Sequence, residues 1–377
     1  MKFQEVIGQK SLCAAFPASL KSGHIAHAQL FSGKTGYGSL AIALAVAQYL
    51  LCSGDKDGDS CGECAACKKV SKGIHPDLHF VYPVVKKKES APISDDYLPQ
   101  WREMIVNPYF ALDSWIAKMG GEENAQPMIY AAESANIIKK LSLKPFEADC
   151  RVVIIWLPER MNEECANKLL KILEEPYPGT YFILVSEQPE RLLTTIRSRT
   201  QTVLIPMLEP GLIANAISSK YGVDADRAKR VEHLAVGDMV KAIELISEES
   251  SRNRYRYRDA FISLMRLCWT RDMVPVNNWV SELADQGREA QKAFLSYTTE
   301  MLRENFMRNF NNDKLIYMTP EEEQFSVRFA PFINENNIVP LYEAMEQAWL
   351  EISRNGNAKI ILTDLCIKVM QNIRPTT

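Results

Sequence analysis

Apolar residues in the first half of the chain gather into short unbroken runs, of which RVVIIWL at 151–157 and TYFILVS at 180–186 are the clearest. Runs of this length, rich in β-branched residues and without polar alternation, predict strands buried on both faces. Between them NEECANKLLKILEEP has helical spacing, opens at Asn162 and is stopped by Pro176. Earlier, a short apolar run ending at Leu30 and Phe31 leads through a glycine-bearing turn into helix-compatible residues from Leu40. A further helix is predicted near Ala131–Leu141. Strands alternating with helices predict an α/β fold with a parallel sheet covered on both faces. Past Pro206 and Pro210 the pattern changes, and nearly everything to Thr377 has helical periodicity. The chain thus divides into an α/β part at 1–206, a small helical part at 207–248 and an all-α part at 249–377. The charged run SEESSRNRYRYRD marks the last boundary. Residues near 84–130, broken by KKKESAPISDD and KMGGEENAQP, read as a partly flexible insertion. There is no internal repeat.

With 377 residues, 46% of them hydrophobic, the chain can bury a large core. A net charge of −3 argues against holding nucleic acid by overall charge. The longest apolar run, LAIALAVAQYLLC, is too short to span a bilayer, so no membrane contact is expected. MKFQEVIGQK has no apolar core of a signal peptide, and the expected compartment is the cytoplasm. Nine cysteines then read as thiols and metal ligands, not as a disulfide framework.

Three stretches carry candidate chemistry. LFSGKTGYGSLAIALAVAQYL follows the strand, glycine loop and helix plan of G-x-x-x-x-G-K-[ST], with Gly33, Gly36 and Gly38 supplying the turn. Ser39 and Leu40 stand where that pattern needs Lys and Ser or Thr, while Lys34 sits at the front of the loop, on the strand side. A motor of this type also needs a carboxylate after a neighbouring strand to hold Mg²⁺. Here Trp156 and Leu157 end the run, and Glu159 follows only after Pro158. Two elements lack their charged groups, which argues against ATP hydrolysis and leaves open weak nucleotide retention at Gly33, Gly36, Gly38 and Ser39. The second stretch places Cys52, Cys61, Cys64 and Cys67 as C-x8-C-x2-C-x2-C, a spacing suited to a closed structural zinc site. His75 and His79 lie near and read as ordinary loop and strand residues. Cys13, Cys150, Cys165, Cys268 and Cys366 read as buried thiols. In the third, EQPERLLTTIRSRTQTVLIP, Arg197 and Arg199 either make surface ion pairs or face a neighbouring subunit.

Taken in order, FQEVIGQ at 3–9, HAQLFSG at 27–33, the glycine loop, the four cysteines, HPD at 75–77, NKLLKILEEP at 167–176 and SRT at 198–200 resemble one family. It is the clamp-loader AAA+ family of bacterial DNA polymerase III, and within it the branch whose own nucleotide site is silent. The resemblance is strong over 1–80 and 150–206, extends through 248, and rests on architecture alone beyond that. It implies an AAA+ P-loop-type doubly wound sheet with a zinc knuckle at 52–67, a small helical lid and a helical collar for oligomerisation. It further implies a non-hydrolysing subunit that helps load the sliding clamp onto primed DNA, with motor subunits and a delta subunit as partners. By the same resemblance Arg199 is an arginine finger offered in trans, the four cysteines bind zinc, Val240 replaces a nucleotide-sensing lid arginine, and Ser186 takes a polar sensor position. Thr200 stands where the family has Cys, and the insertion is longer than the family's. The alternatives are an ATP-hydrolysing motor subunit using Lys34, and a stand-alone zinc protein that binds DNA.

Overall fold

The computed structural model describes every residue except 23–24, 87–91, 123–124, 311–315 and 374–377; for 248–253 only the backbone is described. Parts of KKKESAPISDD, KMGGEENAQP and the charged run therefore lie outside the described residues. The chain forms two compact units, Met1–Ile243 and Glu244–Thr377.

In the first unit α1 (Lys10–Lys21), β1 (Ala28–Ser32), α2 (Ser39–Leu51), α3 (Ala65–Ser71) and β2 (Leu78–Val81) come first. The insertion holds α4 (Leu98–Met104) and α5 (Leu112–Lys118). Then follow α6 (Ala131–Ser142), β3 (Arg151–Trp156), α7 (Glu163–Glu174), β4 (Thr180–Ser186), α8 (Thr194–Arg197) and β5 (Gln201–Leu204). The strands pair in parallel in the order β2-β3-β4-β1-β5. Every residue of β3 is buried, as expected of a strand covered on both faces. Leu30, Val153, Ile155 and Leu184 pack with Ile137 and Leu141 of α6 and Leu169 and Leu173 of α7. The alternate residues point to the other face, where α2 touches β1, β3 and β4. That position explains why α2 is apolar all round: twelve of its thirteen residues are buried. Asn162 caps α7 by accepting the Cys165 N–H at 2.9 Å.

The insertion is more ordered than its composition suggests. Its described residues return to the sheet through backbone pairing of Val84 with Met128 and of Ile129 with Met161. Trp101, Phe110 and Trp115 bury themselves against Tyr82 and Trp156 at the carboxyl ends of β2 and β3. Aromatic burial of this extent holds these residues in place.

Helices α9 (Leu212–Tyr221), α10 (Ala225–Ala235) and α11 (Met239–Ile246) follow the sheet. The second unit packs α12 (Glu248–Thr270), α13 (Met273–Ala284), α14 (Arg288–Arg308), α15 (Pro320–Phe329), α16 (Ile338–Ser353) and α17 (Ala358–Asn372) around Phe261, Phe294, Leu302, Met345 and Leu362. Glu322 is buried there and satisfied, accepting from Tyr297 Oη and Thr319 N, each at 2.8 Å, and pairing with Arg254. No helix among the described residues is long and apolar enough to cross a membrane.

Candidate functional site

The glycine loop runs from β1 to α2 as its sequence predicts, and Gly38 takes the left-handed conformation (φ 96°) that opens the helix. Four of its backbone donors, however, already have partners within the protein. Gly33 N–H bonds Ser186 O, Tyr37 N–H bonds Lys34 O, and Gly38 N–H bonds Thr35 O, at 3.0–3.1 Å. Thr35 N–H is taken by a carboxylate oxygen, Glu187 Oε1, at 2.8 Å. In a working phosphate loop such groups cradle the anion. Ser39 is fully buried, and its hydroxyl bonds Lys34 O.

A second carboxylate reaches the loop from the small helices. Asp238 caps α11 by accepting from Val240 N and Lys241 N. Its Oδ1 lies so close to Gly36 that a Cβ there would stand 1.7 Å from it, so any larger residue would force the carboxylate aside. Lys34 Nζ stands 3.9 Å from Asp238 Oδ2 on the exposed side. Val240 stands two residues further on, its backbone N 3.0 Å from where that Cβ would lie. Gln9 ties these parts together by donating to Tyr37 O and Pro206 O.

Where a metal-holding acid would follow β3, Trp156 is buried, its Nε1 3.4 Å from Thr35 Oγ1. Phe110 and Trp101 of the insertion cover it, with ring centres 5.2 and 5.4 Å away. Tyr109 of the same segment accepts the Ile7 N–H at 2.9 Å and faces Gly38. Glu159 turns to the end of β4, accepting from Ser186 Oγ, Glu187 N and Gln188 N. Burial lifts its carboxyl above the usual range, against the pull of those donors. Ser186, the expected sensor, therefore serves Glu159.

The four cysteines converge. Their Sγ atoms all lie within 4.8 Å of one another, with Cys52–Cys61 at 3.6 Å and Cys52–Cys64 and Cys61–Cys67 at 3.9 Å. Tetrahedral zinc with bonds of about 2.3 Å requires sulfur separations of about 3.8 Å; disulfide sulfurs would lie near 2.0 Å. Cys64 caps α3, and the N–H groups of Cys64 and Cys67 point at the sulfurs of Cys61 and Cys64, each at 3.4 Å. Burial raises the Cys64 thiol, yet donors from Cys67 and Ser53 outweigh it and hold it at about 5, whereas burial pushes the neighbouring Cys67 thiol up. The donor set and its geometry fit a structural zinc.

His75 and His79 stay out of this cluster. Asp77 N–H donates to His75 Nδ1, and the buried Asp77 carboxylate accepts from Phe146, Glu147 and Ala148 N–H at 2.6–2.9 Å. HPD is thus a backbone clamp on the loop after α6. Of the remaining cysteines, Cys150 is half-buried, which corrects its reading as a buried thiol; it lies just before the strand, where cover is incomplete. The other four are buried.

Arg199 lies between α8 and β5 with its side chain 28% exposed. Its Nη2 meets Glu174 Oε1 and its Nη1 meets Thr195 O, each at 2.8 Å. It is positioned by its own chain and half-open to solvent. Arg197 is exposed at the end of α8.

Sequence reasoning missed Glu187, Asp238 and Tyr109. Asp238 carries a local signal, an acid after Gly237 opening a helix. Glu187 follows a parallel strand's carboxyl end, where ligands bind in such sheets. Tyr109 has none.

A family model described as "DNA polymerase III, delta subunit" matches residues 8–209, more than half of the chain. The chain belongs to that family. It is 31% identical over 227 residues to "DNA polymerase III subunit delta'" of Bacillus subtilis, covering 60% of this chain and 56% of the relative. With the protein of that name from Pseudomonas aeruginosa it shares 34% identity over 209 residues, 55% of this chain and 51% of the relative. "DNA polymerase III subunit gamma/tau" of Mycobacterium tuberculosis is 30% identical over 230 residues, 60% of this chain and 33% of that relative. The matched stretch thus spans about half the length of the delta' relatives. The resemblance carried by the ordered motifs, to a clamp-loader chain of the delta' kind, is borne out, as is the α/β sheet followed by helices.

Proposed function

We propose that this chain is a non-hydrolysing subunit of the cytoplasmic DNA polymerase III clamp-loader complex. It helps load the sliding clamp onto primed DNA and lends Arg199 to a neighbouring motor subunit. The observation that supports this most is the state of the phosphate loop: four backbone N–H groups engaged internally, one of them by Glu187, and Asp238 pressed against Gly36. A triphosphate entering this loop would meet the charge of Glu187 and Asp238, while Trp156 and Leu157 stand where a Mg²⁺-holding acid would follow β3. Division of labour follows: residues 1–206 give the ATPase-like body, 207–248 the lid and 249–377 the collar that joins the motor and delta subunits. Zinc held by Cys52, Cys61, Cys64 and Cys67 ties α3 to the end of α2.

Arg199 acts through charge. Its pairing with Glu174 keeps the guanidinium poised, and a partner's transferring phosphoryl group carries more negative charge than one carboxylate. An arginine supplied in trans is worth about three to five powers of ten in rate. The lone chain should show no ATP turnover, whereas Arg199→Ala should fold and assemble yet slow clamp-dependent turnover by the reconstituted complex. Robust hydrolysis by the lone chain, or unchanged turnover with Arg199→Ala, overturns the corresponding half of this reading.

A further inference from the structure

The second unit carries a groove that its own packing does not fill. It lies between α12 and α15, holds about 760 Å³ and is also lined by Ile373. Met265, Trp269, Phe329 and Phe332 form its floor. Trp269 and Phe332, 38% and 37% exposed, meet edge to face with ring centres 5.0 Å apart. Exposed aromatic residues that hold each other in place form a ready-made apolar surface, and an open patch of this kind marks a binding site.

Charge decides the occupant. Arg258, Arg266 and Arg328 stand along the rim against a single acid, Glu321. Arg258 is engaged by Asp259 at 2.8 Å and by the Tyr255 ring. Arg266 and Arg328, both exposed and on opposite walls, have no ion-pair partner among the described residues. Aromatic residues, Met and Arg together are the composition of an interface core. From Arg258 to Thr270 the wall runs about 18 Å at 1.5 Å per residue, three turns of helix. Along it Ile262, Met265 and Trp269 share one face, the spacing that receives the i, i+3, i+7 side chains of a docked helix.

We propose that this groove docks an acidic amphipathic helix of a partner subunit. The inference rests on the reading that this unit assembles with other clamp-loader chains, and it names where and by what chemistry. A second copy of this chain fits less well, because a two-fold contact would set the rim arginines against each other. Nucleic acid would leave the recessed aromatic floor unfilled.

The test uses the full chain and a fluorescein-labelled helical peptide of about fourteen residues, with Leu along one face and Glu on its flanks, beside a twin carrying Lys instead. By fluorescence anisotropy the acidic peptide should bind and the basic twin should bind about tenfold more weakly or worse. In the Arg266→Glu, Arg328→Glu double variant that order should invert, a result that mere misfolding cannot give. Phe332→Ala should weaken both. Equal binding of the twins, no binding, or an order unmoved by charge reversal overturns the proposal. So does displacement of the peptide by a single-stranded oligonucleotide, or self-association of the chain that Phe332→Ala abolishes. In parallel, sedimentation of the chain mixed with its motor and delta subunits separates the two readings. Failure of wild type to assemble sinks the assembly reading, whereas assembly that the charge-reversed variant matches sinks only the groove.

Discussion

Neutralising the two carboxylates at the phosphate loop is the sharpest way to ask whether the site is filled or merely unused. The perturbation is Glu187→Gln with Asp238→Asn. Both changes keep an acceptor oxygen where the structure needs one: Gln still takes the Thr35 N–H, and Asn caps α11 about as well as Asp. Only charge is removed. A phosphate oxygen using the same N–H groups would lie within about 4 Å of either carboxylate, where like unit charges repel by about 4 kcal/mol at an effective dielectric of 20. Glu187 is exposed and Asp238 half-buried, so solvent and salt reduce this to roughly 1–2 kcal/mol for each. One such step is about tenfold in affinity, and two together about a hundredfold. Titration of inorganic pyrophosphate and of ADP by calorimetry should therefore show wild type binding weakly or not at all and the double variant gaining about two powers of ten. Hydrolysis should not appear, because Trp156 and Leu157 supply no acid for a cation. Binding of ADP by wild type as tight as by the double variant would refute the reasoning, and so would ATP turnover gained on neutralisation.

Three further outcomes follow from the same geometry. Trp156→Asp, which restores an acid by sequence, should not restore turnover; it should lower stability by about 3–5 kcal/mol in denaturant titration, since it empties an aromatic cluster and buries a charge. Metal analysis should find one zinc per wild-type chain and none in Cys61→Ser with Cys64→Ser, in which α3 should lose protection in hydrogen exchange before the sheet does. Asp77 adds a pH dependence: burial raises its carboxyl, but the N–H groups of Phe146, Glu147 and Ala148 and the nearby His75 outweigh it, so its folded value lies below the ordinary 3.8. A depressed carboxylate contributes stability that is present above 3.8 and is lost as pH falls through the folded value, so Asp77→Asn should cost about 2 kcal/mol at neutral pH. That cost should vanish at the acid end of a urea series.

How much of this was legible beforehand depends on whether the signal was local. β3 and β4 could be read because strands covered on both faces must be apolar throughout, and α7 because Asn162 and Pro176 punctuate it. The cysteine cluster was legible because a zinc knuckle is closed by residues a few positions apart. Trp101, Phe110 and Trp115 were not, since three aromatics in a polar, irregular stretch have no periodicity, and their meaning comes from Trp156 some fifty residues away. Asp238 and Glu187 were invisible as loop partners for the same reason: nothing near Gly36 or Thr35 in sequence announces them.

The fillers and the losses have one physical cause. A loop that presents backbone N–H groups to phosphate leaves them without partners once the phosphate is gone, and each buried, unsatisfied donor costs about 1–3 kcal/mol. If this loop descends from a working one, as proposed, loss of the cation-holding acids and the loop lysine creates a demand for acceptors and for apolar volume at the same place. Glu187 on Thr35 and the internal bonds of Tyr37 and Gly38 meet the first demand, while Asp238, capping its own helix, fills the space over Gly36. Trp156 under Trp101 and Phe110 meets the second. On the proposed reading, silence at this site is built from contacts, and a single reversion in the loop, such as Ser39→Lys, should not restore turnover, because it adds a charge at a fully buried position and leaves every one of those contacts in its way.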